Sequence, residues 1–265
     1  MHRFYIPPPE WNPDALVLSG PEAHHAKNVV RMKRGERAVL FNGRGREITA
    51  EIVDLERGKI NLRKLHESNT PPLRCRITLG QAIPKGKNME LIVQKAVEIG
   101  ASEIAPLVSE RTIVDLDPAS GGQKQAKWRQ IAIEAAKQCG QNWLPHVHAP
   151  RKVKDFFAGV EAAVPSRNFL EAAETAVSTT FDLRLIGSLQ PDALHLKKIL
   201  AEFSSERQHL PKSVLMLIGP EGDFTPAELA LAKSHGCRPI TLGPIILRVE
   251  TAALYCLSVL SYELL

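Results

Sequence analysis

Several features that would assign a compartment or a metal site are missing from this sequence. The chain of 265 residues has no uninterrupted apolar run near the ~20 residues that a membrane helix needs. Its first residues, MHRFYIPPPE, lack the charged-then-apolar pattern of a secretion signal. The four cysteines, Cys75, Cys139, Cys237 and Cys256, form no CxxC pair, which argues against a zinc ribbon and is typical of reduced thiols. We expect a cytoplasmic protein with no membrane partner and no metal.

An excess of acidic residues is also missing. The formal net charge is +5, and residues 1–74 hold 13 Lys and Arg against 9 Asp and Glu, whereas the rest of the chain holds 21 against 20. The basic excess therefore belongs to the first quarter of the chain. It indicates either a region that attracts a polyanion or an ordinary solvated surface.

The first seventy residues predict a small β-rich unit. Short, partly alternating runs at 15–20, 37–45, 46–55 and 58–65 are broken by Gly and Asn. A short helix is predicted over 23–35. The segment 66–74, HESNTPPLR, combines polar residues with a Pro-Pro pair and predicts a linker. We therefore predict a first domain over 1–72 and a second over 73–265.

The second part alternates strand-like and helix-like patterns, which predicts an α/β domain with a largely parallel sheet. Strands are predicted at 75–83, 103–110, 182–188, 214–219 and 238–243, with a further candidate at 168–172. Helices are predicted at 89–100, 124–140, 195–203, 224–236 and 250–265. The last of these is apolar nearly all round, so it is expected to be buried, either in an intrachain core or at a dimer interface.

A glycine-rich but acidic turn, LIGPEGDFTPAELALAKSHG, lies between a predicted strand and a helix. Thr225 is the expected N-cap, and Pro226 and Glu228 complete the signature of a capping box. Glu221 and Asp223 flank this helix start, so a phosphate would be repelled there. The glycines either let the backbone approach a flat or cationic ligand or only form a tight turn.

A second Gly-Pro turn follows the strand RPITLG and continues as GPIILRVETAALYC. The carboxyl ends of parallel strands line the ligand crevice of open α/β sheets. The two turns, together with Arg248 and Glu250, therefore form a candidate site.

Four further segments complete a recognisable order along nearly the whole chain: HRFYIP, GPEAHHAKNVVRMKRGE, AIPKGKNMELIVQKAVEIGASEIAPLVSERTIV and IEAAKQCGQNWLP. With IGPEGDF, TPAE and LGPIILRVETA, they resemble bacterial 16S rRNA (uridine-N3) methyltransferases of the RsmE type, in the SPOUT superfamily. The resemblance implies an α/β domain with a SPOUT-type trefoil knot and a parallel sheet, preceded by a small PUA-like β-barrel that binds RNA. It also implies a homodimer that acts on 16S rRNA in the small ribosomal subunit.

The cofactor implied by the resemblance is S-adenosyl-L-methionine, which has no phosphate and carries a sulfonium and an ammonium. An acidic, glycine-rich turn suits such a ligand. By similarity, the cofactor-binding residues are Ser188, Leu189, Ile218, Gly219, Glu221, Gly222, Leu242, Gly243, Ile246, Leu247, Thr251 and Ala252.

Methyl transfer to N3 of uridine requires loss of a proton and stabilisation of the negative charge on the uracil. Arg248 is the candidate cation for that charge. A protonated arginine cannot act as the base, so Glu250 or water takes the proton. The alternative for Arg248 is a salt bridge to Glu250 or Glu221. Candidate RNA contacts are Arg3, His25, Arg31, Lys33, Arg34, Lys85, Lys87 and Arg111.

Two departures from the family pattern and three rival functions remain open. Asp223 replaces the second glycine that usually follows Gly-Pro-Glu, and Gln141 stands where members often carry an arginine. One rival is a ribose 2′-O methyltransferase of the same superfamily, although Glu250-Thr251-Ala252 differs from the final motif of those enzymes. The others are a non-catalytic RNA-binding or ribosome-assembly factor and a metalloenzyme that uses His146 and His148, for which no acidic or cysteine partner is expected nearby.

Overall fold

The computed structural model describes residues 1–56, 58–112, 118–162 and 180–265. The chain divides into two compact units. Unit 1 comprises Met1–Pro72 and Ile133–Leu144, and unit 2 comprises Leu73–Ala132 and Pro145–Leu265. The strand proposed for 168–172 lies outside the described residues.

Unit 1 contains a five-stranded sheet in the order β1-β3-β4-β5-β2. Its strands are β1 (His2–Tyr5), β2 (Leu16–Ser19), β3 (Arg37–Phe41), β4 (Arg46–Glu56) and β5 (Lys59–Asn69). Strands β1 and β3 pair in parallel, and the other neighbours are antiparallel. Residues of β4 alternate between buried and partly exposed, as expected for a sheet with one face on a core.

Two element boundaries predicted from the sequence of unit 1 differ from those in the structure. Residues 66–69 belong to β5, where His66 pairs with Thr49 of β4, because the ladder stabilises a polar segment that looks like a linker. The predicted helix over 23–35 is shorter: α1 (Gly20–His24) continues into a π-helical turn, His25–Val29. Arg31 then has a φ of 61°, and this left-handed conformation ends the helix.

The segment Ile133–Leu144 completes unit 1 through polar contacts. The Lys137 side chain is nearly buried, and its ammonium lies 3.0 Å from Glu22 Oε1 and 3.1 Å from Glu134 Oε1. Asn142 accepts a hydrogen bond from Arg3, at 2.5 Å. The indole of Trp143 donates to the carbonyl of Thr70, at 2.9 Å.

Unit 2 contains an eight-stranded sheet in the order β11-β13-β10-β12-β6-β7-β8, with β9 also paired to β7. Every pairing in this sheet is parallel, so the predicted parallel α/β architecture is confirmed. The strands are β6 (Arg76–Ala82), β7 (Glu103–Val108), β8 (His146–Val147), β9 (Arg151–Lys152), β10 (Leu183–Gly187), β11 (Leu194–His195), β12 (Ser213–Ile218) and β13 (Arg238–Thr241).

Helices connect these strands. They are α2 (Asn88–Ile99), α3 (Pro118–Cys139), α4 (Val153–Ala162), α5 (Leu196–Arg207), α6 (Pro226–Ser234) and α7 (Val249–Leu264). Every residue of β12 is buried, as its continuous apolar run predicts. Helix α3 begins before the predicted residue 124 and continues from unit 2 into unit 1. Within the described residues, no helix has the length and apolar character that a membrane span needs.

Candidate active site

Three loops leave the sheet of unit 2 at the same edge. Strand β10 lies between β12 and β13 and runs parallel to both, so the segments that leave these strands share the carboxyl edge. We call 188–190, 219–224 and 242–248 the edge loops. The expectation that the two Gly-Pro turns lie at the same sheet edge is confirmed.

The loop 219–224 is a tight turn. Asp223 N donates to the carbonyl of Pro220 at 3.0 Å, and Gly222 and Asp223 have φ angles of 88° and 70°. A Cβ on Gly219 would lie 3.1 Å from Phe224 N and 3.2 Å from Asp223 Oδ1. The turn's own packing therefore explains both glycines without a ligand.

The helix start after this turn is occupied by its own carboxylate. Thr225 and Glu228 form the predicted capping box, with Glu228 N donating to Thr225 Oγ1 and Thr225 N donating to Glu228 Oε2. Buried Glu228 also accepts from Ser109 Oγ at 2.8 Å and from Glu110 N at 3.0 Å. A second anion at this helix end would be repelled, so a polyphosphate ligand is disfavoured.

Two segments that follow other strands hold the same turn. Lys85 N, after β6, donates to Glu221 Oε1 at 3.1 Å. The Arg111 guanidinium, after β7, donates to the carbonyl oxygen of Gly222. Beside this contact lies a cavity of about 400 Å³, whose lining residues are Arg111, Leu189, Gln190, Gly222, Asp223, Phe224, Pro226, Leu229, Ala230 and Lys233.

Arg248 ends the loop 242–248 and is the N-cap residue of α7. Its side chain is exposed, and no ion pair or side-chain hydrogen bond joins it to any described residue. The alternative salt bridge to Glu250 or Glu221 is therefore not formed in the described part of the chain. Glu250 Oε2 instead accepts from Asn88 Nδ2, at 3.2 Å.

The edge loops present groups that fit S-adenosylmethionine better than a nucleotide polyphosphate. Glu221 and Asp223 place carboxylates at the turn, while Glu228 excludes an anion from the helix start. Leu189 and Ile246 are exposed apolar side chains on two of the loops, suitable for packing against a flat ring. The negative charge at this turn suits a sulfonium or an ammonium nearby, even without direct contact, because opposite charges attract.

The other predicted cofactor residues differ in their exposure. Ser188 and Ile218 are buried where β10 and β12 end, and Ala252 is buried in the first turn of α7. The residues Gly219, Leu242, Gly243 and Leu247 are partly exposed, whereas Glu221, Gly222, Ile246 and Thr251 are exposed.

Sequence reasoning does not identify Asn88 and Ser109 as part of this region. Each of them contacts its acidic partner, Glu250 or Glu228, from more than a hundred residues away.

The candidate RNA contacts fall into two groups. Arg31, Lys33 and Arg34 are exposed on unit 1, and Lys85, Lys87 and Arg111 are exposed on unit 2. Arg3 and His25 have internal partners: Arg3 pairs with Glu47 at 2.6 Å, and His25 Nδ1 lies 3.1 Å from the Lys137 ammonium. Gln141, at the second departure from the family pattern, accepts from the backbone N–H groups of Asn142 and Trp143.

The two histidines considered for a metal site have an acidic neighbour that the sequence did not reveal. His148 Nε2 lies 3.0 Å from Glu103 Oε2, because β8 pairs with β7; the expectation of no nearby acid was wrong. Burial and then the neighbouring His148 lower the pKa of His146 to about 4. Elsewhere among the described residues, potential metal-ligand atoms of Glu22, His25 and Glu134 lie within 4.8 Å of one another. The Lys137 ammonium contacts all three residues, so the positive charge in this cluster comes from a lysine side chain.

Comparison with known families agrees with this architecture. Residues 71–261 match the model of the RNA methyltransferase domain, and residues 18–65 match that of the RNA methyltransferase PUA domain. The second match confirms the expectation of a PUA-like domain ahead of the α/β domain.

Individual relatives are similar over almost the whole chain. The ribosomal RNA small subunit methyltransferase E of Synechocystis sp. is 30% identical, over 95% of this chain and 74% of its own length. The crystal structure of the Neisseria gonorrhoeae protein of that name, bound to S-adenosylmethionine, is 30% identical with a TM-score of 0.77 and covers 99% of this chain and 98% of its own. A Legionella pneumophila protein described as a methyltransferase, in complex with the same cofactor, is 33% identical with a TM-score of 0.80, over 98% and 97% of the two chains.

These matches extend across both units and include the edge loops and the first turn of α7. The chain belongs to the RNA methyltransferase family, within the group named ribosomal RNA small subunit methyltransferase E.

Proposed function

We propose that this protein transfers a methyl group from S-adenosylmethionine to N3 of a specific uridine in 16S rRNA, within the assembled small ribosomal subunit. The observation that carries the proposal is the exposed guanidinium of Arg248, which ends the edge loop 242–248 and has no ion pair or hydrogen bond to any described residue. The names of the relatives support the RNA substrate, and two cofactor-bound neighbours support the methyl donor. The uridine and its N3 atom rest on the family resemblance.

The edge loops would hold the cofactor with the acidic turn 219–224 near its cationic groups. Bound S-adenosylmethionine supplies an electrophilic methyl group. The protein's task is to hold the uracil ring nitrogen in line with that methyl group. Positioning of this kind can lower the activation barrier of the transfer by up to about 7–11 kcal/mol.

Arg248 would stabilise the uracil as negative charge develops on its carbonyl oxygens. Because its guanidinium has no partner among the described residues, it is available to a ligand without breaking an ion pair. A fixed cation at such a position typically contributes about 3–4 kcal/mol.

Removal of the N3 proton would fall to Glu250 or to water. Glu250 lies in the first turn of α7, two residues after Arg248, and Asn88 donates to one of its carboxylate oxygens at 3.2 Å. This hydrogen bond fixes the carboxylate and leaves its other oxygen to accept a proton.

Unit 1 would bind the RNA backbone. Arg31, Lys33 and Arg34 are exposed and close in sequence, in the part of the chain that carries the basic excess. We propose residues 1–72 as an RNA-binding domain and residues 73–265 as the methyltransferase domain. A target uridine must leave its stack to be methylated, which favours a loop or single-stranded segment.

The trefoil knot, the homodimer and the cytoplasmic location that the resemblance implies are part of the same proposal. Large apolar side chains exposed in the single chain and not assigned to the cofactor are suitable for a second copy: Ile245, Tyr255 and Tyr262. Most soluble oligomers form through such self-complementary two-fold interfaces. Light scattering that shows a monomer at micromolar concentration would contradict the dimer.

Methyl transfer is tested with labelled S-adenosylmethionine and small ribosomal subunits that lack this methylation. The treated RNA is digested to nucleosides and analysed by mass spectrometry. We expect the label in N3-methyluridine, and naked 16S rRNA serves as the parallel substrate that tests the requirement for an assembled subunit.

Other outcomes would redirect the assignment. Label in a ribose-methylated nucleoside would place the activity with the 2′-O enzymes of the superfamily. RNA binding without any binding of S-adenosylmethionine would identify a non-catalytic RNA-binding or assembly factor.

A further inference from the structure

Asp223 adopts a backbone conformation that favours glycine. Its φ is 70°, and among the described residues only Arg31 and Gln208 are other non-glycine residues with positive φ. Aspartate tolerates the left-handed region better than most residues, but at a cost relative to glycine. Such a conformation persists where the surrounding structure over-determines it, and it is concentrated at functional sites.

The Asp223 carboxylate joins two edge loops. Its Oδ2 atom accepts a hydrogen bond from Leu189 N at 3.2 Å, across 34 residues of sequence. Its Oδ1 atom accepts from Phe224 N at 2.8 Å. Both oxygens therefore bind backbone N–H groups, one in the loop 188–190 and one in the turn 219–224.

Neighbouring residues leave room for this carboxylate and hold the turn that carries it. A Cβ on Gly219 would lie 3.2 Å from Asp223 Oδ1, tighter than an ordinary contact, so the glycine makes space for the side chain. Arg111 donates to the carbonyl of Gly222, the residue before Asp223. The turn is thus held by Arg111, while Asp223 connects it to the loop after β10.

We propose that Asp223 is a positioning residue, which sets the distance between the loop 188–190 and the turn 219–224 and thereby preorganises the cofactor pocket. The inference rests on the proposed function, in which these two loops hold S-adenosylmethionine. Asp223 acts through Leu189 and the turn, since both of its oxygens already bind protein N–H groups. It deepens the proposed function by assigning a role to a residue outside the expected cofactor contacts.

Two substitutions separate the carboxylate's hydrogen bonds from the backbone conformation. D223G suits the positive φ but removes the bonds to both Leu189 N and Phe224 N. D223N keeps the tolerance of positive φ, but its single amide oxygen can accept from only one of the two N–H groups. Q208G is the matched control, because it also replaces a positive-φ residue by glycine, at the end of α5.

The first readout is hydrogen exchange of the Leu189 amide in the cofactor-free protein. We expect exchange at least about tenfold faster in D223G than in wild type and within about threefold in Q208G. D223N should lie between the two, because its one amide oxygen can accept from only one of the two N–H groups. The second readout is calorimetric binding of S-adenosylmethionine. We expect about tenfold weaker binding in D223G, and a raised KM for the cofactor with the KM for RNA unchanged.

Each alternative outcome overturns a distinct statement. Equal Leu189 exchange in wild type and D223G would show that the bond does not restrain the loop. Faster Leu189 exchange in D223G with unchanged affinity for S-adenosylmethionine would refute the positioning role of Asp223. The proposed function would still stand in that case if the wild-type protein transfers the methyl group. Wild-type protein that protects the Leu189 amide but binds no S-adenosylmethionine would refute the proposed function, and with it the cofactor role of Asp223.

Discussion

Among single residues, Arg248 allows the proposed chemistry to be tested separately from folding. Its guanidinium is exposed and has no partner among the described residues, so Arg248→Ala should leave the thermal unfolding midpoint unchanged. We expect kcat to fall by about 10²–10³, as for loss of a donor that stabilises transition-state charge. Affinity for S-adenosylmethionine should stay within about threefold. Single-turnover methyl transfer and calorimetry measure the two quantities.

Arg207→Ala is the control for this substitution, because Arg207 is also exposed but lies in the last turn of α5. It should retain wild-type turnover. Full activity of Arg248→Ala would remove Arg248 from the mechanism, and loss of folding would assign it a structural role.

His146 gives a second prediction at this scale, concerning pH. The ordinary pKa of histidine is about 6.5, and burial lowers the pKa of His146 to about 4 in the folded protein. Between these values the unfolded chain binds a proton that the folded chain does not. The free energy of unfolding should therefore fall as the pH drops from about 6.5 towards 4.

NMR titration of the imidazole and urea unfolding at several pH values measure the two sides of this linkage. His146→Gln should make the loss of stability over this pH range smaller. A titration midpoint of His146 near 6.5 would contradict the prediction.

Among the elements, helix α6 begins at a signal that its local sequence specifies closely. Thr225, Pro226 and Glu228 supply the capping box that the structure contains. Thr225→Ala should lower the local stability of α6 by about 1 kcal/mol. Hydrogen exchange of the α6 amides is the suitable measurement, because a chain with two units need not unfold in one step.

Ser19→Ala is the comparison for this prediction. Ser19 is the N-cap residue of α1, but its side chain makes no capping hydrogen bond. Exchange of the α1 amides should therefore change by less than the change in α6. Equal effects in the two helices would show that the capping box does not stabilise α6.

Elements that depend on distant partners were harder to predict from the sequence. The polar sequence at 66–69 predicts a linker, and only its pairing with β4 reveals the β-strand. The capping role of Glu228 is readable from the four-residue stretch 225–228, but its bond to Ser109 joins positions 119 residues apart. In the candidate site, the Gly-Pro turns were found from local signals, whereas Asn88 was found only in the folded chain.

For the whole molecule, the uneven distribution of charge predicts how RNA affinity depends on salt. Arg31, Lys33 and Arg34 are exposed on unit 1, and each cation that contacts a phosphate of single-stranded RNA contributes about 0.7 to the slope of log affinity against log salt. Replacing all three by alanine should reduce the slope by about 2. Fluorescence anisotropy with a labelled RNA fragment at several salt concentrations measures it.

Alanine at Arg63 and Lys64 provides the matched control in the same unit. These two cations pair with Glu51 and Glu67, so their removal should change the slope by less. A slope that is equal in wild type and the triple variant would show that the three exposed cations do not bind phosphate.

Helix α3 belongs to both units along the chain, and this limits how unit 1 can be moved between proteins. Its last turns and the residues after it, Ile133–Leu144, belong to unit 1, where Lys137 neutralises Glu22 and Asn142 binds Arg3. A fragment cut after Pro72 would keep Glu22 while losing its buried counter-ion, which is strongly destabilising. Residues 1–72 are therefore not a self-sufficient cassette, and a gene fusion that transplants unit 1 must also carry Ile133–Leu144.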